Sequence, residues 1–242
     1  TDGFGAEDTL SNIENIKGTD EADKLTGSDT ANVIAGNAGD DVIAGLDGAD
    51  TIDGGSGIDE IDYSTDAAAG GDSGVTVDLS SGTATDGFGA EDTLSNIENI
   101  KGTDEADQLT GSAADNIILG EAGDDVIAGL DGADTIVGGS GDDSILGGEG
   151  SDVLAGGAGA DQIDGGLGAD QIDGGAGADQ IVGGSGDDSI LGGEGDDSIL
   201  GGSGDDYIVG GVGSDVLAGG AGADQIDGGA GADQIDGGSG DD

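Results

Sequence analysis

The sequence predicts an all-β solenoid, two thin parallel sheets wound from very short strands, on three observations: a nine-residue period, a fixed glycine frame, and one inward aliphatic residue per period. From Gly138 onward the chain reads Gly-Gly-x-Gly-x-Asp-x-(Ile/Leu)-x, as in GGSGDDSIL, GGEGSDVLA and GGAGADQID. Self-similarity at a fixed short period marks a repeat architecture.

Each element of the period has a physical reason. Glycines at positions one, two and four open backbone conformations closed to other residues, so GGxGxD is expected to be a tight turn whose carbonyls crowd toward one point. The next three residues, such as SIL, QID, YIV or VLA, suit a short strand, with position eight pointing inward and positions seven and nine outward. One nonapeptide cannot bury its single Ile or Leu, whereas stacked copies build a continuous thin core. Two repeats, twice nine residues, then make one coil, and at about 4.8 Å per coil the longer array would span roughly 35 Å. A conventional core is excluded by an aromatic content of 2% and the absence of Trp and Met.

Counted in nines, two arrays emerge. The first covers 18–62 and holds five nonapeptides; the second covers 102–242 and holds 15 plus a partial one. Between them, 63–101 breaks the period, and 1–17 is a partial copy of that inter-array segment, since Thr1 to Asp23 returns identically at Thr85 to Asp107. Val75, Val77 and Leu79 alternate with polar residues, and Leu94, Ile97 and Ile100, with their copies Leu10, Ile13 and Ile16, mark a further apolar segment. The insert is therefore expected to be one or two wider coils, with Asp66 to Ser73 as a protruding loop and Tyr63, Phe4 and Phe88 packed nearby. The whole chain reads as one continuous solenoid and as a fragment of a longer protein.

Charge decides the ligand. The chain carries 55 acids against three lysines, a net charge of −52, and stacking would set position-six carboxylates in rows that repel unless cations intervene. The donors offered are carboxylate and backbone carbonyl oxygens, with no His or Cys anywhere. Such hard donors select Ca²⁺ over Zn²⁺, Cu²⁺ or iron, and loop carbonyls suit the strict octahedron of Mg²⁺ less well.

These motifs, GGSGDD at Gly138 and GGAGADQID at Gly156 among them, resemble the RTX (repeats-in-toxin, haemolysin-type) nonapeptide family. The segment Gly74 to Thr103 also resembles the stretch that often precedes RTX arrays. The resemblance implies a right-handed parallel β-roll with Ca²⁺-binding turns on both edges, the ions held by position-six Asp side chains and turn carbonyls, on the order of one per nonapeptide. Carried over, the ligands are Asp23, Asp41, Asp50, Asp59, Asp107, Asp125, Asp134, Asp143, Asp152, Asp161, Asp170, Asp179, Asp188, Asp197, Asp206, Asp215, Asp224, Asp233 and Asp242. Asn32 and Asn116 replace the acid, so sites touching them are expected to be weak or empty. The Gly-poor repeats at Gly18 and Gly102 share that expectation. A second acid at position five, as at Asp124 and Asp142, is expected to face solvent.

Catalysis is not expected: the usual triads, thiol chemistry and the HExxH and GxSxG motifs are all absent. Three lysines exclude ordinary nucleic-acid binding, and no apolar run is long enough to span a membrane. No small-molecule substrate is expected. The functional expectation is a calcium-folded structural or spacer module of a secreted or cell-surface bacterial protein, of adhesin, surface-layer or matrix type, exported by type I secretion. The alternative is a repeat domain that aids secretion and folding of an extracellular enzyme or toxin. Apolar position-nine residues Val182, Leu191, Leu200 and Val209 leave room for self-association into a filament or surface layer. Ice binding in the family resembles Thr and Asn at turn positions three and five, where this chain has mainly Ala, Ser, Glu, Leu and Asp.

Overall fold

The computed structural model describes residues 13–242, which divide into two compact units, one running through Ser112 and the other from Ala113 to Asp242. Both are built of β-strands in two sheets, and the single helix among the described residues has four residues, Asp66–Ala69.

The second unit is the regular one. Its strands, from Ile117–Ala122 to Gln234–Ser239, all have six residues and fall alternately into the two sheets, seven in each and paired in parallel. Every pairing joins a residue to the one 18 further on, as in Ile145 with Ile163 and Ile136 with Leu154, so one coil is two nonapeptides, as expected. The strands are longer than the three residues expected, because positions seven to nine continue into positions one to three of the next repeat. The pairing skips position one: Leu146 pairs Asp164 and Gly148 pairs Gly166, with Gly147 between them unpaired.

The three glycines turn out to serve different needs. Position two is left-handed, Gly148 at φ +124°, as is position four, Gly150 at φ +153°. Position one is required for space instead: a Cβ on Gly147 would stand 2.5 Å from Asp152 Oδ2 and 2.5 Å from the Gly165 carbonyl oxygen. Positions one, six and eight face inward, and the position-eight row Ile127, Ile136, Ile145, Leu154, Ile163 and onward to Leu217 is buried. Each fully buried aliphatic side chain contributes about 1.5–3 kcal/mol, and these residues, one row on each sheet, are the core.

In the first unit the same coils run from Asn15–Lys17 and Lys24–Thr26 to Thr51–Ser56 and Glu60–Asp62. The insert then departs from expectation. It is not a wider coil: Thr76–Asp78 and Thr83–Thr85 form an antiparallel hairpin, Thr83–Thr85 also pairs antiparallel with Glu91–Ser95, and Glu91–Ser95 rejoins Thr51–Ser56 in parallel. The expected loop is partly helical, with Ala67 to Gly70 exposed but Asp66 only 1% exposed. Tyr63, Val75, Val77, Leu94, Ile97 and Ile100 are buried, Leu79, Phe88 and Ile16 half-buried, and Ile13 exposed. Phe4 and Leu10 lie outside the described residues.

Candidate metal centre

Position-six aspartates face inward under the turns. They stack at 18-residue intervals, and their side chains knit successive coils. In the second unit the backbone N–H of Asp125 donates to Asp143 Oδ1 at 2.9 Å, Asp143 to Asp161, Asp161 to Asp179, and so on to Asp215 and Asp233. A parallel ladder begins with Asn116 donating to Asp134 and continues through Asp152, Asp170, Asp188 and Asp206 to Asp224 and Asp242. In the first unit the steps are Asp23 to Asp41 to Asp59, and Asn32 to Asp50. Of the 19 predicted ligands all are buried except Asp233, half-buried, and Asp242, exposed.

The ladder uses only Oδ1. The second oxygen, Oδ2, is buried with no hydrogen-bond partner in Asp41, Asp50 and Asp59, and in every position-six aspartate from Asp134 to Asp224, fourteen in all. A buried polar atom left unpaired costs roughly 1–3 kcal/mol, more when charged, so fourteen of them exceed the ~5–15 kcal/mol that stabilises a typical domain. Burial pushes Asp134 and Asp188 up to about 6 and Asp50 up to about 7; the backbone N–H on Oδ1 pulls the other way, and neighbouring carboxylates add to the rise. At neutral pH the row therefore calls for cations. Among the described residues no three acidic side chains come close enough to hold an ion by themselves. An ion here would take carboxylate oxygen together with turn carbonyls, the all-oxygen set that fits Ca²⁺.

Some predicted ligands are already satisfied. Asp23 Oδ2 accepts from the Thr19 N–H at 2.6 Å and from its hydroxyl at 3.0 Å. Asp107 Oδ2 accepts from the Thr103 N–H at 2.7 Å while the Thr103 hydroxyl reaches Oδ1. Asn32 exchanges bonds with Ser28, whose N–H donates to Oδ1 at 2.6 Å. In each case position two carries Thr or Ser in place of Gly, and that residue closes the turn on its own acid or amide.

Two members of the ladders escape the nonapeptide count. The Asp50 N–H donates to Asp92 Oδ1 at 2.9 Å, and the Asp59 N–H to Glu98 Oε2 at 2.9 Å. Asp92 differs from the array in that its Oδ2 accepts the Tyr63 hydroxyl at 2.9 Å, and burial lifts its pKa to about 6. The signal was present in the sequence, since Asp92-Thr-Leu94 and Glu98-Asn-Ile100 repeat the acid-x-aliphatic spacing of positions six to eight. Position-five acids are exposed, as expected, yet they form an outer ladder of opposite sense: Asp124 Oδ1 accepts from the Asp142 N–H at 2.9 Å, and Asp142 Oδ1 from the Ala160 N–H at 2.8 Å.

Comparison with known proteins agrees with this geometry. The model of the RTX calcium-binding nonapeptide repeat matches 26–61 and, in overlapping segments, 92–242. With most of its length matched, the chain belongs to the RTX calcium-binding nonapeptide repeat family, and it is a calcium-binding β-solenoid module. No curated protein matches the chain. Among solved structures, a Ca²⁺-dependent β-helical antifreeze protein from an Antarctic bacterium is 21% identical, covering 97% of this chain and 85% of its own, with a TM-score of 0.46. The extracellular lipase LipA from Serratia marcescens is 20% identical over 76% of this chain, with a TM-score of 0.31; the match spans 34% of the lipase.

Proposed function

We propose that the chain is a non-catalytic spacer that calcium folds outside the cell, within a secreted or cell-surface protein of adhesin, surface-layer or matrix type. The observation that carries this reading is the row of fourteen buried, unpaired Oδ2 atoms. The position-six aspartates with such an oxygen, together with turn carbonyls, would hold the ions, and Ca²⁺ supplies the positive charge that burial and like-charge repulsion demand. A chain with a net charge of −52 and a core of one aliphatic residue per nonapeptide has little to hold it together without metal. Low cytosolic calcium would keep it unfolded for export, and millimolar calcium outside would fold it.

A spacer role fits the economy of the sequence. GGEGSDVLAGGAGADQIDGG at Gly147 returns with one change at Gly210, and copying by whole nonapeptides adds coils while keeping every Asp and Ile in register. The test is circular dichroism of the same chain in excess EDTA and in millimolar CaCl₂. The β signal is expected to appear only with calcium; equal β content in both would refute the reading.

A further inference from the structure

The insert holds a second set of buried oxygens that belongs to neither ladder. Asp66, at the start of the short helix, is 1% exposed; its Oδ2 accepts the Gly87 N–H at 3.0 Å and its Oδ1 has no partner. Asp86, also 1% exposed, takes the N–H groups of Phe88 and Ala90 on Oδ1 at 3.0 and 2.7 Å and leaves Oδ2 without one. Beside Asp66, the Thr65 hydroxyl oxygen is likewise buried and unpaired.

The segments that carry these oxygens are in contact. A Cβ on Gly87 would stand 3.1 Å from the Asp66 Cβ, and the charges of Asp66 and Asp86 reach each other as well as Tyr63 and Asp92. Two carboxylates with bare buried oxygens repel and lose hydration together. A proton would relieve one of them, whereas a divalent cation relieves both and also takes a hydroxyl oxygen as ligand.

We propose that Asp66 and Asp86, with Thr65, bind a Ca²⁺ ion in the insert, outside the nonapeptide frame, and so tie the short helix to the turn that leads into Glu91–Ser95. Because no three acidic side chains converge among the described residues, the donor set is mixed: two carboxylates, a hydroxyl and backbone carbonyls. The site relies on the hard-oxygen chemistry proposed for the ladders but on none of their residues.

Tyr63 supplies the readout. The chain has two tyrosines and no tryptophan, so Tyr207→Phe in the full chain leaves Tyr63 as the only tyrosine sensitiser of Tb³⁺ luminescence. The expected result is sensitised emission that Ca²⁺ displaces. Asp66→Asn and Asp86→Asn should each raise the Tb³⁺ half-saturation at least about tenfold, the lower bound seen for groups that only support metal ligands. Asp173→Asn, at an exposed position nine of the other unit, should leave it unchanged. Absence of emission from the Tyr207→Phe chain overturns the proposal without any further variant. So does emission that survives Asp66→Asn and Asp86→Asn, or that Asp50→Asn abolishes instead, since a ladder ion would then be its source. Circular dichroism of the same samples reads the ladders separately: a chain that folds with calcium while emission ignores Asp66 and Asp86 sinks the insert site alone.

Discussion

The regular turns of the second unit and the sealed turns of the first solve one problem in opposite ways. Both place a position-six side chain under a turn, and the sealed Asp107, like the open-turn acids, spends Oδ1 on the N–H of the coil before it. At Asp134 to Asp224 the other oxygen is left bare, while at Asp23 and Asp107 a threonine at position two closes on it, and at Asp92 the Tyr63 hydroxyl does so. A glycine at position two leaves an acid that demands a cation; a hydroxyl residue there makes the same acid self-sufficient. Calcium demand is therefore written as much at position two as at position six.

Acid should produce the largest effect, and its sign should depend on metal. Asp50, Asp134 and Asp188 have carboxyl groups raised in the folded chain to about 6–7 from an ordinary value of 3.8. For groups raised in this way, the stability they contribute is fully present below about pH 4 and is lost as the pH climbs through about 6–7. Without metal, then, lowering the pH from 8 to 5 should increase β content by circular dichroism. In calcium the same change should decrease it, because protons compete for the ligand oxygens. The same direction in both conditions would break the link between bare oxygens and metal.

A smaller effect separates the two kinds of turn directly. Asp170→Asn, in an open turn, should lower the calcium bound per chain and raise the calcium needed for half-folding several-fold. Asp107→Asn, in a turn that Thr103 has closed, should leave bound calcium unchanged and cost about 1 kcal/mol through a weaker hydrogen bond. Equilibrium dialysis with ⁴⁵Ca measures the first quantity and thermal unfolding in calcium the second. If the two variants lose the same amount of calcium, position two does not set the demand.

How far the sequence could be read depended on what each residue reports. The nine-residue period specified strand direction, coil length and the burial of position eight, because stacking identical units leaves one arrangement that hides Ile145 and its equivalents. The role of Asp as a turn-forming acid was equally legible, whereas its inward burial was not. The reason for Gly147 was not, because its constraint comes from the Gly165 carbonyl of another coil, a contact that no local pattern encodes. Asp92 and Glu98 were passed over for a related reason: the insert shifts the count, so their partners Asp50 and Asp59 lie 42 and 39 residues away. The hairpin at Thr76–Asp78 escaped because alternating residues such as Val75 and Val77 fit a parallel coil and an antiparallel hairpin equally well.

The smallest predicted effect concerns position two when it is neither glycine nor a hydroxyl residue. Asn37, Leu46, Glu121 and Leu130 occupy it in four repeats, and each is held left-handed, with Leu130 at φ +82°. An L-residue with a Cβ pays about 1–2 kcal/mol for that conformation, asparagine least. Leu130 is half-buried, so the packing it would forfeit offsets only part of this strain. Leu130→Gly should therefore raise the thermal midpoint in calcium by an amount equivalent to about 1 kcal/mol or less, while bound calcium stays the same, because Asp134 keeps its bare Oδ2. A fall in the midpoint would mean that side-chain packing outweighs backbone strain at this position, and that the four irregular repeats are held as they are by contact between coils.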